Sequence, residues 1–230
     1  MTFSSLILQA LSISTQMGVF MPAMPKSTYS FSFTAGGLGL SQCQILSRLY
    51  LKLGDWKVVK EEVYRTNALQ QERQTSLSRV ELEFRRRLKK LTPGELEMLA
   101  EGESDLGRSI ALLAAFKSYQ LIFDFCVLTL RPKAAIYDFE VRPSDIEAFF
   151  EQQEAGHPEL ASLTRSTLTK VRQNLIKILI DGGILSAGQN PLIQPVPLIP
   201  EVARLIAVDS SQYLEAFLLD QSQISLYRAS

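Results

Sequence analysis

Apolar residues recur at helical spacing along almost the whole chain. Between Ser41 and Leu53, the positions Ile45, Leu46, Leu49 and Leu53 share one face and predict a first helix. Gly54 ends it, and Asp55 is a good N-cap for a second helix from Trp56 to about Arg65. The polar run Asn67 to Thr75 reads as a connector. A third helix is predicted over Ser76 to Leu91, striped by Leu77, Val80, Phe84, Leu88 and Leu91. Thr92, Pro93 and Glu95 form the start signal of a fourth, closed by Gly102. Ser104 to Leu130 predicts one or two long, buried helices, expected to stop at Arg131-Pro132 because proline disfavours helix in the residue before it.

The pattern changes after residue 142. Ser144 is placed to cap a helix through about Glu154, with Ile146, Phe149 and Phe150 as its apolar face. A short turn over Pro158 to Leu163 follows, and Thr164 caps a longer helix from Arg165 to about Ile180. Gly182-Gly183 stops it. Ile184 to Ser186 and Leu192 to Gln194, around the turn Ala187 to Asn190, read as a β-hairpin kept short by Pro195, Pro197 and Pro200. A last helix is expected over about Glu201 to Ala207.

Helix, short helix, longer helix and hairpin is the order of a winged helix-turn-helix. The expected fold is mainly α. An N-terminal helical bundle with a helix-turn-helix-like part covers residues 27–131, and a linker covers 132–142. A winged-helix-like domain with a small β-hairpin covers 143–208, and a weakly patterned tail covers 209–230. Residues 1–26 are expected to be an ill-ordered extension, or a stretch upstream of the true start at Met21 or Met24. Leu6 to Phe20 is interrupted by Ser12, Ser14, Thr15 and Gln16 and lacks the preceding positive residue of a secretory signal. The most apolar region, Ile110 to Leu130, is broken by Lys117 and Asp124 and reads as buried helix. No membrane insertion is expected.

Charge adds little by itself. The 24 basic residues balance 24 acidic ones, so attraction to nucleic acid has to come from arrangement, not excess. Cys43 and Cys126 sit far apart in apolar, helix-like surroundings and read as two buried thiols suited to a reducing cytoplasm. With His157 the single histidine, no metal site is expected.

Arrangement singles out two helices. On the helix from Arg165, the residues Leu168, Val171, Leu175, Ile178 and Leu179 face the core. Ser166, Lys170, Gln173 and Lys177 lie opposite, with Thr169 beside them and Arg165 at the start. Cations, hydroxyls and an amide are the groups that contact phosphates and base edges in a major groove. A plain solvated surface has similar composition. Arg172 lies nearer the core stripe and reads as structural. On the third helix, Arg79, Arg86, Lys89 and Lys90 point away from the apolar stripe, with Arg85 at its flank. They are candidate phosphate contacts, although cations also complement a helix C-terminus. Leu82 points with them, as a lone exposed leucine or a contact for another protein.

Enzymatic chemistry finds little support. His157-Pro158-Glu159 has no placed nucleophile, and the carboxylates Glu61, Glu62, Glu101, Glu103 and Asp105 read as helix surfaces or caps. Gly36, Gly37 and Gly39 lack the spacing and the following residues of a nucleotide loop. No catalytic residue, cofactor or small-molecule substrate is expected.

Longer stretches carry a resemblance. SFTAGGLGL (32–40), LYLKLGDWKVV (49–59), LKKLTPGELEML (88–99) and the run from Pro143 to Leu185 resemble the BrxA-type proteins of bacteriophage exclusion (BREX) systems over about residues 27–200. The resemblance implies a cytoplasmic, non-enzymatic component of a phage-resistance locus, with other BREX proteins as partners and a likeness to helical DNA-binding proteins. It transfers no catalytic residue. The expectation is a protein that binds double-stranded DNA. The alternatives are a protein-docking adaptor within the defence complex and an RNA-binding helical bundle.

Overall fold

The computed structural model describes residues 28–102, 104–194 and 198–228; the expected N-terminal extension, together with Glu103, Pro195 and Pro197, lies outside them. Helix α1 (Leu40–Leu53) starts after Gly39 and ends at Gly54, both in the left-handed region, with φ of 62° and 71°. The Asp55 carboxylate accepts from the Lys57 N–H and opens α2 (Trp56–Thr66). Helix α3 (Gln74–Leu88) follows, and then α4 (Pro93–Glu101), whose Thr92 and Glu95 form the predicted capping box.

Helix α5 (Ser104–Ser118) is the centre of the molecule. Its residues Ile110 to Phe116 are buried on every side, which explains an apolar run with no polar face. It packs against α1, α3 and α4 and against the C-terminal helices described below. Tyr119 breaks it, and the chain turns by 109° into α6 (Gln120–Phe125).

The helix does not stop before Pro132 as expected. It widens into a π turn, Cys126–Leu130, in which the Arg131 N–H donates to the Cys126 carbonyl, and continues as α7 (Arg131–Ala135). The wider turn moves carbonyls off the pyrrolidine ring, so the proline is absorbed instead of terminating the helix.

Helices α8 (Pro143–Glu154), α9 (Pro158–Ala161) and α10 (Arg165–Asp181) match the predicted order. The cap of α8 is not Ser144: the Asp145 carboxylate accepts from the Arg142 N–H, 2.8 Å away. The β-hairpin does not form a ladder, and the described residues contain no strand. Only isolated antiparallel bridges pair Leu185 with Ile193 and Glu140 with Leu192. The pairing is partial: the Ser186 N–H bonds the Leu192 carbonyl and the Gln194 N–H bonds the Ile184 carbonyl, but the Leu192 N–H bonds the Ser186 hydroxyl and the Ile193 N–H bonds the Phe139 carbonyl. Pro191 has no N–H to give. Residues 139–141, expected as linker, thus flank the return segment.

Helix α11 (Pro200–Ser210) is followed by α12 (Tyr213–Ala216) and α13 (Gln221–Arg228), so the weakly patterned tail holds two short helices joined by turns. Leu214, Phe217 and Ile224 are buried in it. One contiguous apolar cluster runs from Tyr29 to Ile224. Among the described residues, no single helix is long and apolar enough to cross a membrane; the bent pair from Asp105 to Ala135 passes by composition, and most of it is core.

Candidate nucleic-acid interface

Helix α10 is held by its apolar stripe. Val171, Leu175, Ile178 and Leu179 are buried, and Thr164 caps the start by accepting from the Thr167 N–H. Arg165, Ser166, Thr169, Lys170, Gln173 and Lys177 are all exposed, as the helical wheel predicts. The side chains of Arg165, Lys170, Gln173 and Lys177 make no hydrogen bond or ion pair with any described residue. Thr169 spends its hydroxyl proton on the Arg165 carbonyl at 2.9 Å. The helix runs one residue further than expected, so an exposed carboxylate, Asp181, stands one turn beyond Lys177. Arg172 belongs to the scaffold: its guanidinium sits 4.9 Å above the Phe150 ring.

The basic run on α3 divides in two. Arg85 pairs with buried Glu81 at 2.5 Å. Arg87, fully buried, pairs with Glu83 at 2.8 Å and donates to the Gly37 carbonyl at 2.6 Å. Its guanidinium lies against the Phe84 and Tyr119 rings, and Tyr119 donates a short hydrogen bond to Glu83. Burial pushes the Tyr119 phenol up to about 12. Arg79, Arg86, Lys89 and Lys90 remain exposed and without a partner among the described residues. Arg85 therefore drops out of the candidate contacts as a neutralised group. Arg87 and the two glutamates are structural residues the helical wheel did not reveal. The available signal was the pair of i,i+4 spacings, Glu81 with Arg85 and Glu83 with Arg87.

The two basic faces share a neighbour. Both α3 and α10 pack on the 3₁₀ turn Ser32–Ala35, just before Gly36, Gly37 and Gly39. A Cβ on Gly37 would meet the side chains of Asp181 and Lys177 within 4 Å, and Arg86 and Arg79 flank Ser32 and Thr34. Phe84 lies directly under Gly36 and Gly39, where no side chain would fit. The glycines thus let the turn lie flat on α3 and let Arg87 reach its carbonyls.

Other candidates are structural. His157 stacks on Tyr29 at 3.6 Å between ring centres and meets Glu159 at 2.9 Å. Cys43 and Cys126 are buried and free, and burial pushes the Cys43 thiol up to about 12. No group of three or more potential metal ligands occurs among the described residues.

Comparison with known sequences decides the family: its sequence profile matches residues 27–210. The chain belongs to the BrxA family. The relatives are distant. A BREX protein BrxA from Escherichia coli O9:H4 (strain HS) is 23% identical over 171 residues, 74% of this chain and 80% of that protein. A BREX protein BrxA from Bacillus cereus (strain H3081.97) is 23% identical over 159 residues, 68% of this chain and 80% of that protein. A crystal structure of an uncharacterized protein from Magnetospirillum magneticum superposes with a TM-score of 0.71 at 20% identity, covering 84% of this chain and 98% of that one. It shares the fold. Both basic faces of this BrxA-family chain lie inside the matched range.

Proposed function

We propose that this BrxA-family chain is a cytoplasmic, non-enzymatic component of a BREX phage-defence system and binds double-stranded DNA. One observation carries the DNA reading. The outer face of α10 holds Arg165, Lys170, Gln173 and Lys177 exposed and unpaired while the inner face is locked into the core. A helix anchored by a buried stripe and carrying free cations and an amide on its outer face suits a major groove. The succession α8, α9, α10 and the bridged segment 184–193 supports a winged helix-turn-helix with a reduced wing, tipped by Asn190, whose amide is held by Glu140 at 2.9 Å. Arg79, Arg86, Lys89 and Lys90 would hold phosphates across the 3₁₀ turn.

Such binding rests on displaced counterions and weakens steeply with salt. Duplex gel shifts at about 50 and 200 mM salt should show a loss on the order of a hundredfold or more. Lys170→Glu with Lys177→Glu should abolish the shift while leaving the melting temperature unchanged. Absence of binding at low salt would remove the proposal.

A docking role has one observation in its favour. Ile136, Tyr137, Phe139 and Leu192 are exposed, at 74%, 82%, 43% and 46%. Co-purification with other products of the locus, unaffected by nuclease and lost in Tyr137→Asp, would favour that role.

A further inference from the structure

A cavity of about 430 Å³ opens between the segment before the 3₁₀ turn, the end of α3 and the junction of α5 with α6. Its wall is Ser30, Ser32, Arg86, Lys89, Lys90, Ser118 and Tyr119: three cations, three hydroxyls and a phenol, with no carboxylate. The cations do not serve as a helix cap, since none of their side chains bonds a carbonyl at the end of α3. They also differ from their neighbours Arg85 and Arg87, each of which has its own glutamate.

Ser118 is the second observation. Its hydroxyl oxygen is buried and has no hydrogen-bond partner. A helical serine normally returns its proton to the carbonyl four residues back, as Ser109 does to Asp105 at 3.0 Å on the same helix. A buried hydroxyl left unpaired is destabilising, and Ser118 belongs to the wall of the cationic cavity, where turning its side chain outward would give the hydroxyl an acceptor.

We propose that this cavity is a phosphate-binding site, in which Arg86, Lys89 and Lys90 neutralise the anion and the hydroxyls of Ser118 and Ser30 donate to its oxygens, while the Ser32 hydroxyl stays on the Tyr119 oxygen at 3.2 Å. The proposal deepens the DNA reading and rests on it only for the source of the phosphate, which is a strand end or the duplex backbone. Phosphate offers several acceptor oxygens on one charged centre, matching cations and hydroxyls that converge.

The test is an amide NMR titration of the full chain with inorganic phosphate at fixed ionic strength. Saturable shifts are expected around residues 30–32, 86–90 and 118–119. Arg86→Gln with Lys89→Gln should weaken them about tenfold or more. Ser118→Ala should weaken them several-fold yet leave the melting temperature equal or higher, because it removes an unpaired hydroxyl. No saturable shift, or equal affinity in the double variant, overturns the site. The source is then read from duplexes of one sequence with a 5′-phosphate or a 5′-hydroxyl. A preference for the phosphate that the double variant loses identifies the strand end. No preference, with a salt slope lowered by about 2 in the double variant, identifies the backbone. A double variant that changes neither overturns the role in DNA. Phosphate binding with no duplex binding keeps the cavity and removes the DNA reading instead.

Discussion

Gly39 shows how one residue holds the turn between the two basic faces. Its φ is +62°, and a Cβ there would lie 2.0 Å from the buried Phe84 ring. Both the backbone conformation and the space exclude a side chain. Gly54 shares the positive φ, at +71°, but has nothing within 4 Å. Gly54→Ala should therefore cost about 1 kcal/mol, from backbone strain alone, and Gly39→Ala about 2–4 kcal/mol, from strain plus overpacking. Urea unfolding of the two variants measures the difference. Equal losses would mean that Phe84 can move aside.

At the scale of the element, the capping box of α4 does two jobs. Thr92 accepts from the Glu95 N–H, and Glu95 accepts from the Thr92 N–H at 2.7 Å. The same Glu95 oxygen, fully buried, also receives Lys117 from α5 at 2.5 Å, and Lys117 reaches Asp209 of α11 at 2.9 Å. The cap is legible in the sequence because its residues lie three apart. The ion pair is not, because its partners are 22 residues apart. Thr92→Ala should cost about 1 kcal/mol, the loss of one cap. Glu95→Ala should cost more, roughly 2–3 kcal/mol, since it removes the cap hydrogen bond and leaves the buried Lys117 with Asp209 alone. Chemical denaturation of both variants would check the ratio.

At the scale of the whole molecule, Tyr29 ties the first described residues to two distant parts of the chain. Its N–H donates to Glu159, and its hydroxyl donates to Asp124 on α6 at 2.7 Å and lies 3.0 Å from the Gln153 amide on α8. Burial holds the Asp124 carboxyl above its ordinary range, against the opposing pull of those hydrogen bonds. A carboxyl with a raised folded pKa binds its proton more tightly in the native state. Its contribution is complete below the unfolded value of about 3.9 and is lost as pH rises through the folded value. Asp124→Asn, which never carries the charge, should gain stability relative to the parent as pH rises from about 4 to 7. Glu159 has the opposite sign, lowered chiefly by the Tyr29 N–H, so the disadvantage of Glu159→Gln should shrink as pH falls. Melting temperatures from about pH 4 to 7 test the first direction, and melting temperatures below about pH 4.3, the ordinary glutamate value, test the second.

The succession α1 to α4 and α8 to α10, the faces of those helices and the caps Asp55, Thr92 and Thr164 were set by the sequence alone, because each depends on residues within one or two turns of each other. The outward direction of Lys170, Gln173 and Lys177 follows from the stripe behind them and needs no other part of the chain. Tertiary structure decided what local spacing cannot encode. It buried Glu81, Glu83 and Arg87, so that the i,i+4 pairs with Arg85 and Arg87 closed, and it left Arg86, Lys89 and Lys90 exposed and free. It replaced a hairpin ladder with single bridges, since residues 139–141 compete for the same donors. It carried α6 through Pro132 by a π turn. It also brought α3 and α10 onto one 3₁₀ turn, because apolar burial, which has no directional preference, packs both against a common core.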